Sequence, residues 1–382
     1  MLATVGGPIE PSPDADTRTS CSGTGCPLTS VRSPLQLFHS VRTAYARAEE
    51  SVGGHFTRDL ELGGGRVRLE FAGPALAPSI LPALSHTLTD GAPSIPDLTV
   101  YLWDSASTGV LPPPDPWTRS QVRARGEVSD LCDDRVLTAI QREAGALSMV
   151  DRERWLGVYR VDSAVGLPAY ERAAPLKVLL HWWLRERGLP MIHAGAVGAD
   201  DGGVLLVGQT GSGKSTAALA CLDAGMQYVS DDRCLLSLSP HPEALCIYNS
   251  AKLHQDHMHR FPRLLPHVSN PDEPPPEKSL IFVQQFAPEQ VVRRLSIRGI
   301  LLAHIGGRRQ TVLKPVSRME VLRQVAMSSL IYQPDASHAE VRAFADLVRR
   351  LPSLRLELGT DLRAIPCVVA EAIRSMSSAG GA

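Results

Sequence analysis

Apolar positions along this chain fall into two regimes. Between about residues 34 and 173 they come in short extended bursts: Val67-Arg68-Leu69-Glu70-Phe71 alternates, Leu98 to Trp103 is β-branched and aromatic, and Trp155 to Val161 has the same character. Prolines from Pro112 to Pro116 punctuate them, and one or two helices are expected here, the first over Ser33 to Glu50. From Pro175 the period changes. Proline near the start, basic residues in the last turn and Gly188 after the end predict a helix whose Trp182-Trp183 pair packs on core. A strand-like stretch follows over Met191 to Val197, then the apolar run Val204 to Val207, then a helix opening at Lys214, running through Ala217 to Leu222 and stopping at Gly225. Further strand-like runs are Leu245 to Tyr248, Leu280 to Val283, Ile300 to Ala303 and Thr311 to Leu313, with the longest polar break at Ser269 to Glu277. The last third reads as helices over Ser317 to Leu330, Ala336 to Leu351 and Pro366 to Met376, and no internal repeat is visible.

The pattern divides the chain into a leader over residues 1–33, rich in Pro, Gly, Ser and Thr, a strand-rich (α+β) accessory domain over 34–173, and a nucleotide-binding domain with C-terminal helices over 174–382. With 43% hydrophobic and 21% charged residues, 382 residues suffice for two cores. Thirty-nine basic against forty acidic side chains leave no global field for nucleic acid or anionic lipid, and no basic and aromatic interleaving points to nucleic acid. The N-terminus Met1 to Glu10 has no basic segment followed by an apolar core, and no apolar run approaches the ~20 residues of a membrane span, so a cytoplasmic location is the expectation. Seven cysteines, an odd number scattered widely, read as reduced thiols; Cys221 and Cys234 sit in apolar patterns, while Cys21 and Cys26 lack a second ligand pair at zinc spacing.

Residues Gly208, Gln209, Thr210, Gly211, Ser212, Gly213, Lys214 and Ser215 spell a complete phosphate-binding loop (Walker A), followed by Thr216. Its context carries the chemistry: an apolar strand enters and a helix leaves. Backbone N–H groups at a helix N-terminus cradle the α- and β-phosphates, Lys214 reaches the β/γ oxygens, and the Ser215 hydroxyl takes Mg2+. The chain is therefore expected to bind a nucleoside triphosphate. One helix later, Tyr228-Val229 ends in Ser230-Asp231-Asp232, where phosphoryl transfer needs a metal ligand and a base. On an extended segment the two carboxylates would face opposite ways and divide that work. His193, in His-Ala-Gly-Ala-Val on the preceding strand, reads from its residues alone either as a core histidine or as a site group.

His193 stands 21 residues before Lys214 and Asp231 stands 17 after it. In this order and spacing the chain resembles the bacterial HPr kinase/phosphorylase catalytic domain over residues 190–240. Its stretches Ile192 to Val197 and Leu356 to Asp361 are similar to the HPr-kinase-related proteins of bacterial peptide-modification clusters. The resemblance implies an α/β fold with a phosphoenolpyruvate-carboxykinase-like P-loop core, and an ATP- and Mg2+-dependent kinase acting on a serine hydroxyl of a peptide or protein, in some relatives a small precursor peptide. It implies Asp231 as base, Lys214 as β/γ-phosphate ligand, Ser215 and Asp232 as Mg2+ partners, and His193 near the transferred phosphoryl group. HPr kinases are hexameric, so a homo-oligomer stays open.

The chain departs from that family where an Arg-Gly signature should follow the aspartates: Ile247-Tyr-Asn-Ser-Ala-Lys-Leu253 stands there, and Arg298-Gly299 comes much later. Lys252 and Lys278 are candidates for replacement positive charge. His254, His257 and His259 have only crude metal-ligand spacing and read as a polar stretch. The absence of a Leu-Ser-Gly-Gly-Gln signature argues against a transport ATPase. A kinase of a hydroxylated small molecule and a nucleotide sensor without catalysis remain as alternatives.

Overall fold

The change of period in the sequence coincides with a change of sheet. The computed structural model describes residues 33–89, 95–114, 121–123, 125–331 and 337–379; the expected leader and its Cys21 and Cys26 lie outside them, apart from Ser33. Ser33 caps α1 (Pro34–Ser51) in a reciprocal capping box with Gln36. There follow β1 (His55–Leu62), β2 (Gly65–Ala72), α2 (Ala77–Leu84), β3 (Leu88–Thr89), β4 (Leu98–Asp104), α3 (Ser105–Thr108), β5 (Val136–Gln141), β6 (Ala146–Asp151) and β7 (Leu156–Val161). These strands form one sheet in the order β3-β1-β2-β4-β7-β6-β5, parallel where β4 meets β2 and β7 and antiparallel elsewhere. Leu37, Phe38, Val41 and Tyr45 of α1 cover one face, against Trp103, Met149 and Val158.

Strands β5 and β6 have no counterpart in the sequence reading. All six residues of β6 are buried, so both faces pack and the apolar–polar alternation that marks a half-exposed strand is absent. The helix expected from Pro175 forms as α5 (Lys177–Glu186), after the short α4 (Ala169–Ala173). Trp182 and Trp183, each 1% exposed, join the first sheet's core to residues Leu235, Leu245 and Tyr248 of the second half. That shared core seats the two halves on each other.

The second half continues with β8 (Met191–Ile192), β9 (Gly195–Ala199), β10 (Gly202–Val207), α6 (Lys214–Asp223), β11 (Gln227–Ser230), β12 (Cys234–Ser237), β13 (Glu243–Leu245), β14 (Ser250–Leu253), β15 (Ser279–Phe282), β16 (Arg294–Ile305), β17 (Val312–Pro315), α7 (Arg318–Leu330), α8 (His338–Arg350), β18 (Ser353–Leu358) and α9 (Ala364–Ala379). Strand β10 is central: antiparallel to β9 on one side and parallel to β16 on the other. Val204 and Leu206 pack with α6 and α9, while Leu205 and Val207 pack with α7 and α8. A strand buried on both faces explains the unbroken apolar run. Helix α6 ends as a Schellman turn, with Met226 N–H on Cys221 O, Gly225 N–H on Leu222 O, and Gly225 at φ +89°.

The long β16 extends well beyond the apolar middle expected from the sequence; its first residues, which alternate exposed and buried, pair with β13 and its later ones with β18. Arg298 lies at the far end of this sheet from the glycine loop, its Nε donating to Asp201 O in the β9–β10 turn. The late Arg-Gly pair therefore has no part in the site. Among the described residues no helix is long and apolar enough to cross a membrane.

Candidate functional site

Strand β10 runs out at Val207 into the loop Gly208 to Gly213, which turns directly into α6. Two glycines are obligatory here. Gly208 has φ +145°, and a Cβ on it would meet Ser212 Oγ at 2.6 Å; Gly213 has φ +96°, and a Cβ there would meet Leu358 Cδ1 at 2.4 Å. Gly213 is also the N-cap of α6, which has no side-chain cap and no acidic residue in its first turn. The positive end of the helix is thus left to the loop amides. Lys214, 6% exposed, folds back so that Nζ donates to Gly208 O at 2.8 Å and Gln209 O at 3.1 Å. Burial pulls its pKa down while Asp232 and Asp231 act to raise it. Ser212 Oγ is buried with no hydrogen-bond partner.

Against this loop stands the end of β11. Ser230 Oγ accepts the N–H groups of Asp232 at 3.0 Å and Arg233 at 2.7 Å, so the chain turns here instead of staying extended. The two carboxylates do diverge, but the turn is the cause, not strand alternation. Asp231, 2% exposed, accepts from Tyr228 OH at 3.4 Å and from Lys252 N–H at 3.2 Å, and the nearby Ser215 hydroxyl acts to lower its pKa. Burial, and then the charge of Asp232, hold its pKa up. Asp232, its side chain 26% exposed, faces His193 Nε2 at 2.8 Å and Lys252 Nζ at 3.1 Å. Burial opposes its ionisation, but Lys252, the hydrogen bond from His193 and Arg233 together hold its pKa well below the usual carboxylate range.

His193 is not on a strand. It occupies the break between β8 and β9, where its N–H donates to Ser329 Oγ and its Nδ1 lies 3.1 Å from Ser328 O, both on α7. A carbonyl only accepts, so Nδ1 is the donor there, and for Nε2 to donate to the Asp232 carboxylate as well the ring must carry a proton on both nitrogens.

A cleft of about 310 Å3 opens between these elements. Of the residues expected from the sequence it is lined by His193, Thr210, Gly211, Gly213, Lys214, Ser215, Thr216 and Asp232, with Lys252 and Lys278 as well. Gly208, Gln209 and Ser212 build the loop from behind, and Asp231 lies behind the wall. His254 and His257 line the cleft as part of its polar rim.

Sequence reasoning missed two contributors. Arg233, next to the aspartates, is 8% exposed and lines the cleft, and its Nη1 has no hydrogen-bond partner. Asn249, fully buried in the stretch that replaces the Arg-Gly signature, donates from Nδ2 to Pro82 O and Ala83 O and accepts Gln284 N–H, tying α2 to β14 beneath Lys252. Proximity to Asp232 was the available signal for Arg233; nothing local marked Asn249.

No protein-family model matches the chain, and no curated protein matches it. Among solved structures it is similar to the Hpr(Ser) kinase/phosphatase from Coxiella burnetii, with 13% identity, a TM-score of 0.28, and coverage of 50% of this chain and 99% of that one. That likeness is too slight to bear on function, which has to be read from the cleft itself.

Proposed function

We propose that the protein is an ATP-dependent kinase that transfers the γ-phosphoryl group to a hydroxyl, most simply a serine of a peptide or protein. The observation that carries the reading is convergence: a glycine loop on an uncapped helix N-terminus, a buried lysine and one carboxylate line one cleft, with a second carboxylate of unlike environment behind its wall. The donors fit a Mg-nucleotide. The open face of Gly211 and the amides at the start of α6 suit phosphate oxygens, and Ser215 with a carboxylate supplies the hard oxygen ligands Mg2+ prefers. Bound Mg2+ would neutralise charge on the β- and γ-oxygens.

The geometry favours exchanging the two carboxylate roles expected from the resemblance. Asp231 is buried, engaged by Tyr228 and Lys252 N–H, and has the Ser215 hydroxyl near it, which suits the metal side. Asp232 is the carboxylate open to the cleft, steadied by His193 and Lys252. In this reading Asp232 takes the acceptor's proton as its oxygen bonds to the γ-phosphorus. The bond from that phosphorus to the β,γ-bridging oxygen breaks and its electron pair leaves with ADP. Lys214, released from the loop carbonyls, would move to the phosphate oxygens, so that rate comes from positioning and charge neutralisation.

Isothermal titration with Mg-ATP, beside a transfer assay with γ-labelled ATP and a serine-peptide pool, tests the reading. Lys214→Ala is expected to weaken Mg-ATP binding by about 100-fold or more, two charge-assisted contacts being worth roughly 3 kcal/mol. Wild-type protein that ignores Mg-ATP, or a variant that binds it equally well, would overturn the proposal.

A further inference from the structure

Lys278 enters the cleft from a part of the chain that the transfer scheme leaves unused. It immediately precedes β15, whose first residue Ser279 pairs with Leu253, so it stands on the same wall as Lys252, the lysine that holds Asp232. Among the described residues lining the cleft, Lys214, Arg233, Lys252 and Lys278 carry positive charge and Asp232 is the one carboxylate. That carboxylate is already engaged, by His193 Nε2 at 2.8 Å, Lys252 Nζ at 3.1 Å and, more distantly, Arg233 Nε at 3.9 Å. Lys214 Nζ rests on two loop carbonyls. Among the described residues the Lys278 ammonium has neither an ion pair nor a hydrogen bond.

The backbone that carries this lysine is clamped. Asn270, 4% exposed, donates from Nδ2 to Lys278 O at 2.9 Å and accepts Leu280 N–H on Oδ1 at 2.7 Å, gripping the chain on both sides of Ser279. The same Nδ2 donates to Glu273 Oε2 at 2.9 Å, and Glu273 is ion-paired with Arg172 of α4. The charge of Lys278 in turn disfavours the protonated form of Lys214. Two ammonium groups carried by separate elements therefore share the cleft, and an oxyanion between them gains from both.

We infer that Lys278 is a catalytic residue of the transfer, its ammonium donating to the non-bridging oxygens of the γ-phosphoryl group from the side opposite Lys214. The inference deepens the kinase reading and rests on it. Lys214 comes from the loop end of the cleft, where the amides suit the α- and β-phosphates; Lys278 comes from the wall next to the base, and the group that passes between those two places is the γ-phosphoryl. The two lysines of that wall divide the work by their partners. Lys252 is held on Asp232 and steadies the base, whereas Lys278 is free to meet the phosphate. No proton moves to or from Lys278; the bonds made and broken are those of the transfer itself. It acts by charge and hydrogen bonding at the equatorial oxygens over which transition-state charge is spread.

The experiment compares wild type, Lys278→Met and Lys278→Arg as full chains, titrating Mg-ATP and Mg-ADP by calorimetry and following loss of the γ-phosphoryl group from Mg-ATP to a serine-peptide pool or to water. Methionine keeps an unbranched apolar stem without the charge, so the fold should tolerate it. In Lys278→Met, Mg-ATP affinity is expected to fall about tenfold or more and kcat by about 10²- to 10³-fold, while Mg-ADP affinity changes by less than about twofold. Lys278→Arg, which keeps the charge, should recover about tenfold or more of whichever quantity Lys278→Met loses. A loss in Mg-ATP affinity, in kcat or in both, with Mg-ADP binding kept and arginine restoring it, supports the assignment. Equal losses for the two nucleotides, no loss at all, or an arginine variant no better than the methionine one overturns it. Wild type that binds Mg-ATP while Lys278→Met matches it in every measurement sinks this inference alone; wild type that ignores Mg-ATP sinks the kinase reading and this inference with it.

Discussion

Replacing Asp232 by Asn separates the two carboxylates that the turn at Ser230 sets apart. The amide keeps the volume and still accepts at Oδ1, where His193 Nε2 lies 2.8 Å away, but it cannot take a proton. A positioned general base contributes about 10²- to 10⁴-fold. At ~1.4 kcal/mol per decade, Asp232→Asn should therefore raise the barrier by roughly 3 to 6 kcal/mol. Binding should change little, since Lys214 donates to the loop carbonyls of Gly208 and Gln209 and not to Asp232. Asp231→Asn should behave differently: its partner Ser215 stays in place, the Mg2+ concentration needed for half-maximal rate rises, and kcat at saturating Mg2+ falls by less than in the other variant. The assay is initial-rate transfer from γ-labelled ATP over a Mg2+ series, with titration calorimetry for Mg-ATP binding and circular dichroism for folding. Full kcat in Asp232→Asn, together with loss of kcat in Asp231→Asn at every Mg2+ concentration, would refute the exchange of roles and restore Asp231 as the base.

Two further outcomes probe the frame around the cleft. Asn249→Ala removes donors to Pro82 O and Ala83 O from a fully buried position, so unfolding in denaturant should show a loss of about 2 to 4 kcal/mol; a loss under about 0.5 kcal/mol would mean that the junction holds without it. Glu171, 3% exposed and hydrogen-bonded by Tyr159 OH at 2.7 Å, has its pKa raised above 4.5 by burial. The folded state then holds a proton that the unfolded state has released, so its contribution to stability is full below pH 4.5 and declines as pH rises through the folded value. Glu171→Gln should flatten that part of the stability–pH curve, and an unchanged slope would count against it.

Much of the frame was legible because its cause is local. Glycine at Gly208 and Gly213 is demanded by backbone conformation and close approach, Gly225 closes α6, and an unbroken apolar run such as Val204 to Val207 follows from burial on both faces. The first residues of β16, Arg294 to Arg298, do alternate polar and apolar, but the sequence reading takes in only its continuous apolar middle. Strands β5 and β6 were hidden by burial without alternation.

The amino-acid sequence by itself determined the strand–loop–helix at Lys214 and the presence of two carboxylates one helix later, since both depend on neighbours within a few residues. Only the tertiary structure decided which carboxylate opens to the cleft, that His193 spans from α7 to Asp232, and that Lys278 shares one cleft with Lys214 and Asp232. Those relations join residues tens to more than a hundred positions apart. Burial, charge and hydrogen-bond partners at such distances are properties of packing, and no local pattern encodes them.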